Sequence, residues 1–118
     1  MAIVVGLLST AEGQAALAAA QREARERSAP LTVVVAQGDA SPERQAVEDD
    51  LTASGVPYSM VAGTGDLAED LVRTAHEAGA ELIVVGLRRR SPVGKLILGS
   101  GAQRILLEAP CPVLAVKP

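Results

Sequence analysis

Aromatic side chains are all but missing from this chain: Tyr58 is the only one, with no Trp and no Phe. Proteins that hold single-stranded nucleic acid stack its bases on aromatic rings, and this chain has no such platform. A formal net charge of −3 argues against general nucleic-acid binding as well. Cysteine is equally scarce. Cys111 stands alone, which excludes an internal disulfide and fits a reducing compartment. No apolar run approaches the roughly 20 residues that a membrane span needs, so no membrane partner is expected. The opening Met1-Ala-Ile-Val-Val-Gly6 lacks a charged n-region and a cleavage site. It does not read as a signal peptide, and the expected location is the cytoplasm.

What the chain does have is small and aliphatic. Hydrophobic residues make up 48% of its 118 positions, mostly Ala, Val and Leu. That is enough for one domain, residues 1–118, with a core that needs no staples. Five apolar runs have the length and β-branched content of buried parallel strands: Ala2–Val5, Leu31–Ala36, Val56–Val61, Leu82–Val85 and Val113–Val116. Helical patterns lie between them. Thr10 caps the first, which runs to about Arg27 with Ala16, Ala20 and Ala24 on one face. Ser41-Pro42-Glu43 opens the second, with Val47, Leu51 and Ser54 inward and Gly55 as its stop. Asp66 caps the third, with Leu67, Leu71, Ala75 and Ala78 inward and Gly79 ending it. Ser100 opens the fourth, with Ile105 and Leu106 inward and Pro110 after it. Strand and helix in strict alternation predict an α/β three-layer sandwich: a five-stranded parallel sheet with helices on both faces. With the first strand central, the strand order is 3-2-1-4-5. Ligands of such sheets bind beyond the carboxyl ends of the strands, where the order reverses. Here that point falls between strands one and four.

The most telling stretch lies at that point. Gly86-Leu-Arg88-Arg89-Arg90-Ser-Pro-Val-Gly94-Lys95-Leu-Ile-Leu-Gly99-Ser100 joins the fourth strand to the fourth helix as one long loop. It holds four of the chain's eleven Lys and Arg residues. Unpaired N–H groups at a helix start and the helix dipole both favour an anion. Glycines let a backbone approach a phosphate closely. The alternative reading of this loop is a solvated charge run in which Pro92 and Gly94 shape a turn.

From Leu82 onward the chain resembles the universal stress protein family. The residues that carry the likeness are Leu82-Ile-Val-Val-Gly86, the close of the loop at Gly99-Ser100, then Arg104-Ile-Leu and Ala109-Pro-Cys-Pro-Val113. Ile3-Val-Val-Gly6 at the start is similar too, and the resemblance spans essentially the whole chain. That family's nucleotide motif is Gly, two residues, Gly, nine residues, then Gly-Ser or Gly-Thr. Gly86 and Gly99-Ser100 keep its spacing, while Arg89 stands at the second glycine. The acidic residue that ATP-binding members carry in the first loop aligns with Leu8. The resemblance implies a stress-response regulatory protein with ATP or AMP, or another phosphate ligand, at the switch point. Gly86, Arg88, Arg89, Arg90, Gly99 and Ser100 would hold phosphates. The first loop (Gly6, Leu7, Leu8) with Val34 and Val35 would flank a base. The other reading is a nucleotide-free dimeric interaction module whose ATP site has been lost.

No catalytic or metal site assembles from the remaining residues. His76 falls one position off the apolar face of the third helix and reads as a surface histidine. Cys111 sits between two prolines with no partner that would lower its pKa, and reads as structural. Glu48, Asp49 and Asp50 are consecutive on a helix and point in three directions. Ser9, Thr10 and Ser100 lack a nucleophile elbow, and Gly94-Lys95 is followed by Leu96, so a P-loop fails as well. The expected partner is a second copy. Val113–Val116 would be an apolar edge strand, and such an edge invites two-fold pairing, as the resemblance also implies.

Overall fold

A computed structural model describes residues 1–8, 10–35, 42–89, 96–97 and 100–117. Its main sheet has five parallel strands. They are β1 (Ile3–Leu7), β2 (Leu31–Val35), β3 (Tyr58–Ala62), β4 (Leu82–Gly86) and β7 (Val113–Val116), in the order β3-β2-β1-β4-β7. The expected order is therefore the observed one. Four helices connect the strands: α1 (Ala11–Arg27), α2 (Pro42–Ser54), α3 (Leu67–Ala78) and α4 (Ser100–Glu108). One element was not foreseen. Arg88–Arg89 (β5) and Leu96–Ile97 (β6) pair antiparallel as a short ribbon within the segment read above as a single loop.

Alternation along the strands builds two cores. Ile3, Val5 and Leu7 face α1 and α2 with Val33 and Leu51. Val4, Val34, Ile83 and Val85 face α3 and α4 with Leu71 and Ile105. Burial on both faces explains why β1, β2 and β4 read as unbroken apolar runs. With no Phe or Trp available, α1 meets the sheet through Ala16, Ala19, Ala20 and Ala24, all buried. Small side chains let the helix axis come close, so the layer packs densely without large residues.

The ends of the elements are set by local chemistry. Thr10 Oγ1 accepts from the Gly13 amide at 3.1 Å, and Asp66 Oδ1 from the Glu69 amide at 3.2 Å. Gly79 closes α3 in the left-handed region at φ 60°, where its amide reaches the Ala75 and His76 carbonyls. Gly55 follows α2 at φ 76°. Ser28 ends α1 with φ 51°, a left-handed cap carried by a non-glycine residue, which the sequence reading did not place.

Several expected details are corrected. β1 runs two residues further than expected, because Gly6 and Leu7 keep pairing with Val34 and Val35. β3 begins at Tyr58 rather than Val56; Val56 is buried, but its amide bonds Ser54 Oγ at 3.3 Å. Ala78 is exposed, and the inner face of α3 is made by Ala68, Leu71 and Ala75, with Asp70 and Thr74. Leu106 is 47% exposed, so α4 sends only Ile105 into the core. The expected α2 start at Ser41 and the Ala36 end of β2 lie outside the described residues.

Enlarging Ala20 to Leu should therefore cost about 1–3 kcal/mol by overpacking the α1–sheet contact. Ala18→Leu, on the exposed side of the same helix, should stay within about 0.5 kcal/mol. Urea unfolding of both variants measures the difference.

Candidate functional site

The β1–β4 ladder stops early. Ile3, Val4 and Val5 pair with Leu82, Ile83 and Val84, but beyond Val5 the two strands part. β1 continues alongside β2 as far as Leu7–Val35, and β4 alongside β7 as far as Gly86–Val116. Leu87 is held to the same side, its amide donating to the Val116 carbonyl at 2.9 Å. A crevice therefore opens at the carboxyl ends of the two central strands, where the sheet order reverses.

A cavity of about 260 Å³ occupies it. Gly6, Val84, Val85 and Gly86 form its floor, with Leu8 and Leu87 beside them. The first turns of three helices close it: Glu12 and Gly13 of α1, Leu67 and Ala68 of α3, Ser100 to Ala102 of α4. Glycines shape this junction through space rather than through unusual dihedrals. A Cβ on Gly86 would collide with the Glu12 carbonyl oxygen and lie 2.7 Å from the Glu12 carbonyl carbon. A Cβ on Gly13 would meet Leu8 Cβ at 2.6 Å. A Cβ on Gly6 would sit 3.1 Å from both δ-carbons of Leu67. Gly86 therefore makes room for α1, a role different from the phosphate approach expected of it.

The electrostatics of the three helix starts are unequal. α1 carries Glu12 in its first turn, and α3 carries its cap Asp66 with Glu69 and Asp70. α4 has no acidic residue in its first turn. Carboxylates near a helix N-terminus use up the field that would attract an anion. The start of α4 keeps it.

Two acidic groups stitch the rim. Asp70 is only 1% exposed, and it was not among the expected site residues. Burial pushes its carboxyl pKa up. The Thr64 amide and hydroxyl, both at 2.8 Å, and Arg73 Nη2 at 2.7 Å outweigh that, so the pKa lies below its ordinary value. The Gly63 amide donates to the Val35 carbonyl at 2.7 Å, which holds the β3–α3 turn over the end of β2. A Cβ at Gly63 would press on Val35 O and Asp70 Oδ2. Asp66 is also lowered, first by the Glu69 amide and then by Arg104, whose Nη1 reaches it at 2.9 Å. Arg104 further meets Glu69 and Glu108, so it ties α4 to the start of α3. A hydrophobic face gives no hint of Asp70. Its spacing to Thr64 and Arg73 was the available signal.

The sequence-derived candidates separate. Gly6, Leu8, Gly86 and Ser100 come together around the cavity. Leu7, Val34 and Val35 are buried, Leu7 and Val35 in the core that packs against α1 and α2 and Val34 in the core on the opposite face. Arg88 and Arg89 pair with Ile97 and Leu96 in the ribbon. Arg90 and Gly99 lie outside the described residues. His76 is exposed near the far end of α3 from the cavity, about 13 Å along the helix from Leu67. Burial raises the Cys111 thiol pKa, which keeps it protonated and inert. Glu48 and Asp49 engage Arg44 and Gln45 on their own helix.

This arrangement matches known proteins closely. Residues 35–117 match the model of the universal stress protein family. A universal stress protein of Mycolicibacterium smegmatis is 46% identical, over 98% of this chain and 97% of that protein. The chain belongs to the universal stress protein family. Its fold agrees with the solved structure of a universal stress protein from Archaeoglobus fulgidus at a TM-score of 0.78. That structure is 31% identical, with 99% of this chain and 98% of the other covered. An Archaeoglobus fulgidus universal stress protein in complex with dAMP is 26% identical at a TM-score of 0.71, covering 99% and 98%. Among the described residues, no helix is long and apolar enough to cross a membrane.

Asp70→Ala strands the Thr64 amide and should destabilise this universal stress protein by about 1–3 kcal/mol at neutral pH. The folded pKa of Asp70 is depressed, so its contribution is fully present above the ordinary value of 3.8 and is lost as pH falls from there through the folded pKa. Denaturation at pH 7 and at successively lower pH should show the gap between natural and variant protein closing below about pH 4.

Proposed function

We propose that this universal stress protein acts in the stress response as a regulatory binder of an adenine nucleotide, ATP or AMP, or of another phosphate-bearing ligand. The observation that carries the reading is the cavity between β1 and β4, with the acid-free first turn of α4 on its wall. Free N–H groups at a helix start bind phosphate, and Ser100 adds a hydroxyl. Arg88, Arg89, Arg90 and Gly99 belong to the segment that leads into that turn, and guanidinium forks suit phosphate oxygens. The relative solved with dAMP supports an adenine nucleotide.

A second reading has its own support. Leu8 lines the cavity where the family resemblance sets an acidic residue, and β7 is an edge of the sheet. A nucleotide-free module that pairs through β7 would use that edge. In either reading the expected assembly is a homodimer through Val113–Val116, since partly buried Val113, Leu114 and Val116 leave a strand edge to be paired.

Calorimetric titration with ATP, AMP and inorganic phosphate tests the site. Arg89→Ala should weaken binding by about 1.5–3 kcal/mol as a charged donor is removed, with a marked salt dependence in the natural protein. Gly99→Val should weaken it by blocking backbone approach. Arg89→Gly separates the two readings: tighter ATP binding means that Arg89 obstructs a lost nucleotide site, and weaker binding means that it contacts the ligand. No binding of any of the three ligands leaves the interaction module. Leu114→Lys should give monomers in sedimentation, and an unchanged dimer would exclude β7 as the interface.

A further inference from the structure

The cavity is continuous with the core on the α3–α4 face of the sheet. Ala68, Leu71, Val85 and Ile105 belong to that core and also line the cavity. On α3, Ala68 and Leu71 stand three residues apart; on α4, Gly101 and Ile105 stand four apart. Residues at those spacings share one face of a helix. The two faces, with Val85 of β4 between them, wall a slot.

Small residues keep this slot open. Among the described residues, a Cβ on Gly101 would meet Ala68 Cβ at 3.8 Å and nothing closer, an ordinary contact. Burial deepens along α4: Ser100 and Gly101 are exposed, Ala102 is half-buried and Ile105 is 4% exposed. The slot therefore has a wet mouth at the helix start and a dry inner end, about 7.5 Å further along the helix axis at Ile105.

Few polar side chains serve it. Ser100 stands at the mouth, and Glu12 of α1 already has an interaction partner within the chain. Hydroxyls or ring nitrogens of a ligand at the inner end would lose water against Leu71, Val85 and Ile105, and burying a polar group without a partner is costly. A hydrocarbon placed there extends the core and gains with each methylene buried.

We propose that this slot holds the aliphatic end of a phosphate monoester, with the phosphate at the wet mouth on the first turn of α4 and the hydrocarbon running inward toward Leu71 and Ile105. This rests on the phosphate-ligand reading above and names the rest of the ligand: a short aliphatic alcohol in ester linkage, in place of a nucleoside.

The test is calorimetric titration of the natural protein with methyl, butyl and hexyl phosphate, AMP and inorganic phosphate. Affinity should rise about fourfold for each added methylene until the slot is full, and hexyl phosphate should bind more tightly than AMP. Gly101→Leu fills the slot from the α4 side and, once a thermal melt shows it folded, should flatten that rise. Inorganic phosphate bound with no rise along the alkyl series overturns the aliphatic assignment and leaves the phosphate site standing. AMP bound more tightly than hexyl phosphate gives the slot to a nucleoside and does the same. A rise that persists undiminished in folded Gly101→Leu takes the hydrocarbon out of this slot and overturns the assignment too. Natural protein that binds none of these ligands overturns both readings. The series on the natural protein decides even where the variant does not fold.

Discussion

The parting of β1 from β4 beyond Val5 and Val84 is the constraint on which the rest of the site depends. Each strand has one partner that goes further: β2 carries β1 to Leu7, and β7 carries β4 to Gly86. A gap between two central strands would leave backbone groups without partners in a buried place, and that is costly. The chain resolves this by bringing helix starts over the gap. The first turns of α1, α3 and α4 line a cavity there instead of a closed core. The same geometry that ends the ladder therefore makes the binding surface.

Smallness is the second condition. A chain with one aromatic residue cannot fill space with rings, so it closes distances instead. The alanine stripe of α1 lets that helix lie near the sheet, and Gly13 and Gly86 bring its first turn against Leu8 and β4. Any added side chain at those two glycines meets backbone or Cβ atoms, which cannot swing away as a flexible side chain can. The cavity wall is thus closely packed on the α1 side.

On the α3 side the wall is held by polar contacts. Asp70 gathers the Thr64 amide, the Thr64 hydroxyl and Arg73, and Arg104 ties α4 to the cap of α3 through Asp66. The two differ in weight. Asp70 is buried, so its bonds form in a poorly screened setting and removing it strands a donor. Arg104 and its partners are solvent-exposed, where each pair adds little; two of them, Asp66 and Glu69, stand at the α3 start, and the third, Glu108, is on α4 itself.

Much of this was legible in the residues. Buried parallel strands announce themselves as β-branched runs, because both faces are covered. Thr10, Asp66, Gly55 and Gly79 announce helix ends, because capping is local chemistry. Strict alternation with a central first strand led to the sheet order, and from it to the place where β1 and β4 separate. What the sequence could not carry was anything set by distance between remote segments. Gly86 read as a phosphate glycine, and only the packed structure shows the Glu12 backbone against it. Val34 and Val35 were expected to flank a base, yet the helix layers on the two faces of the sheet bury them. Leu106 followed the helical period inward, but α4 is short and packs only Ile105 into the core. Asp70 and Glu12 were not singled out in the sequence. A residue's pattern fixes which face of its own helix it occupies; which neighbour that face meets is decided by tertiary packing, and so is whether a carboxylate is buried in a hydrogen-bond network or set on a cavity wall.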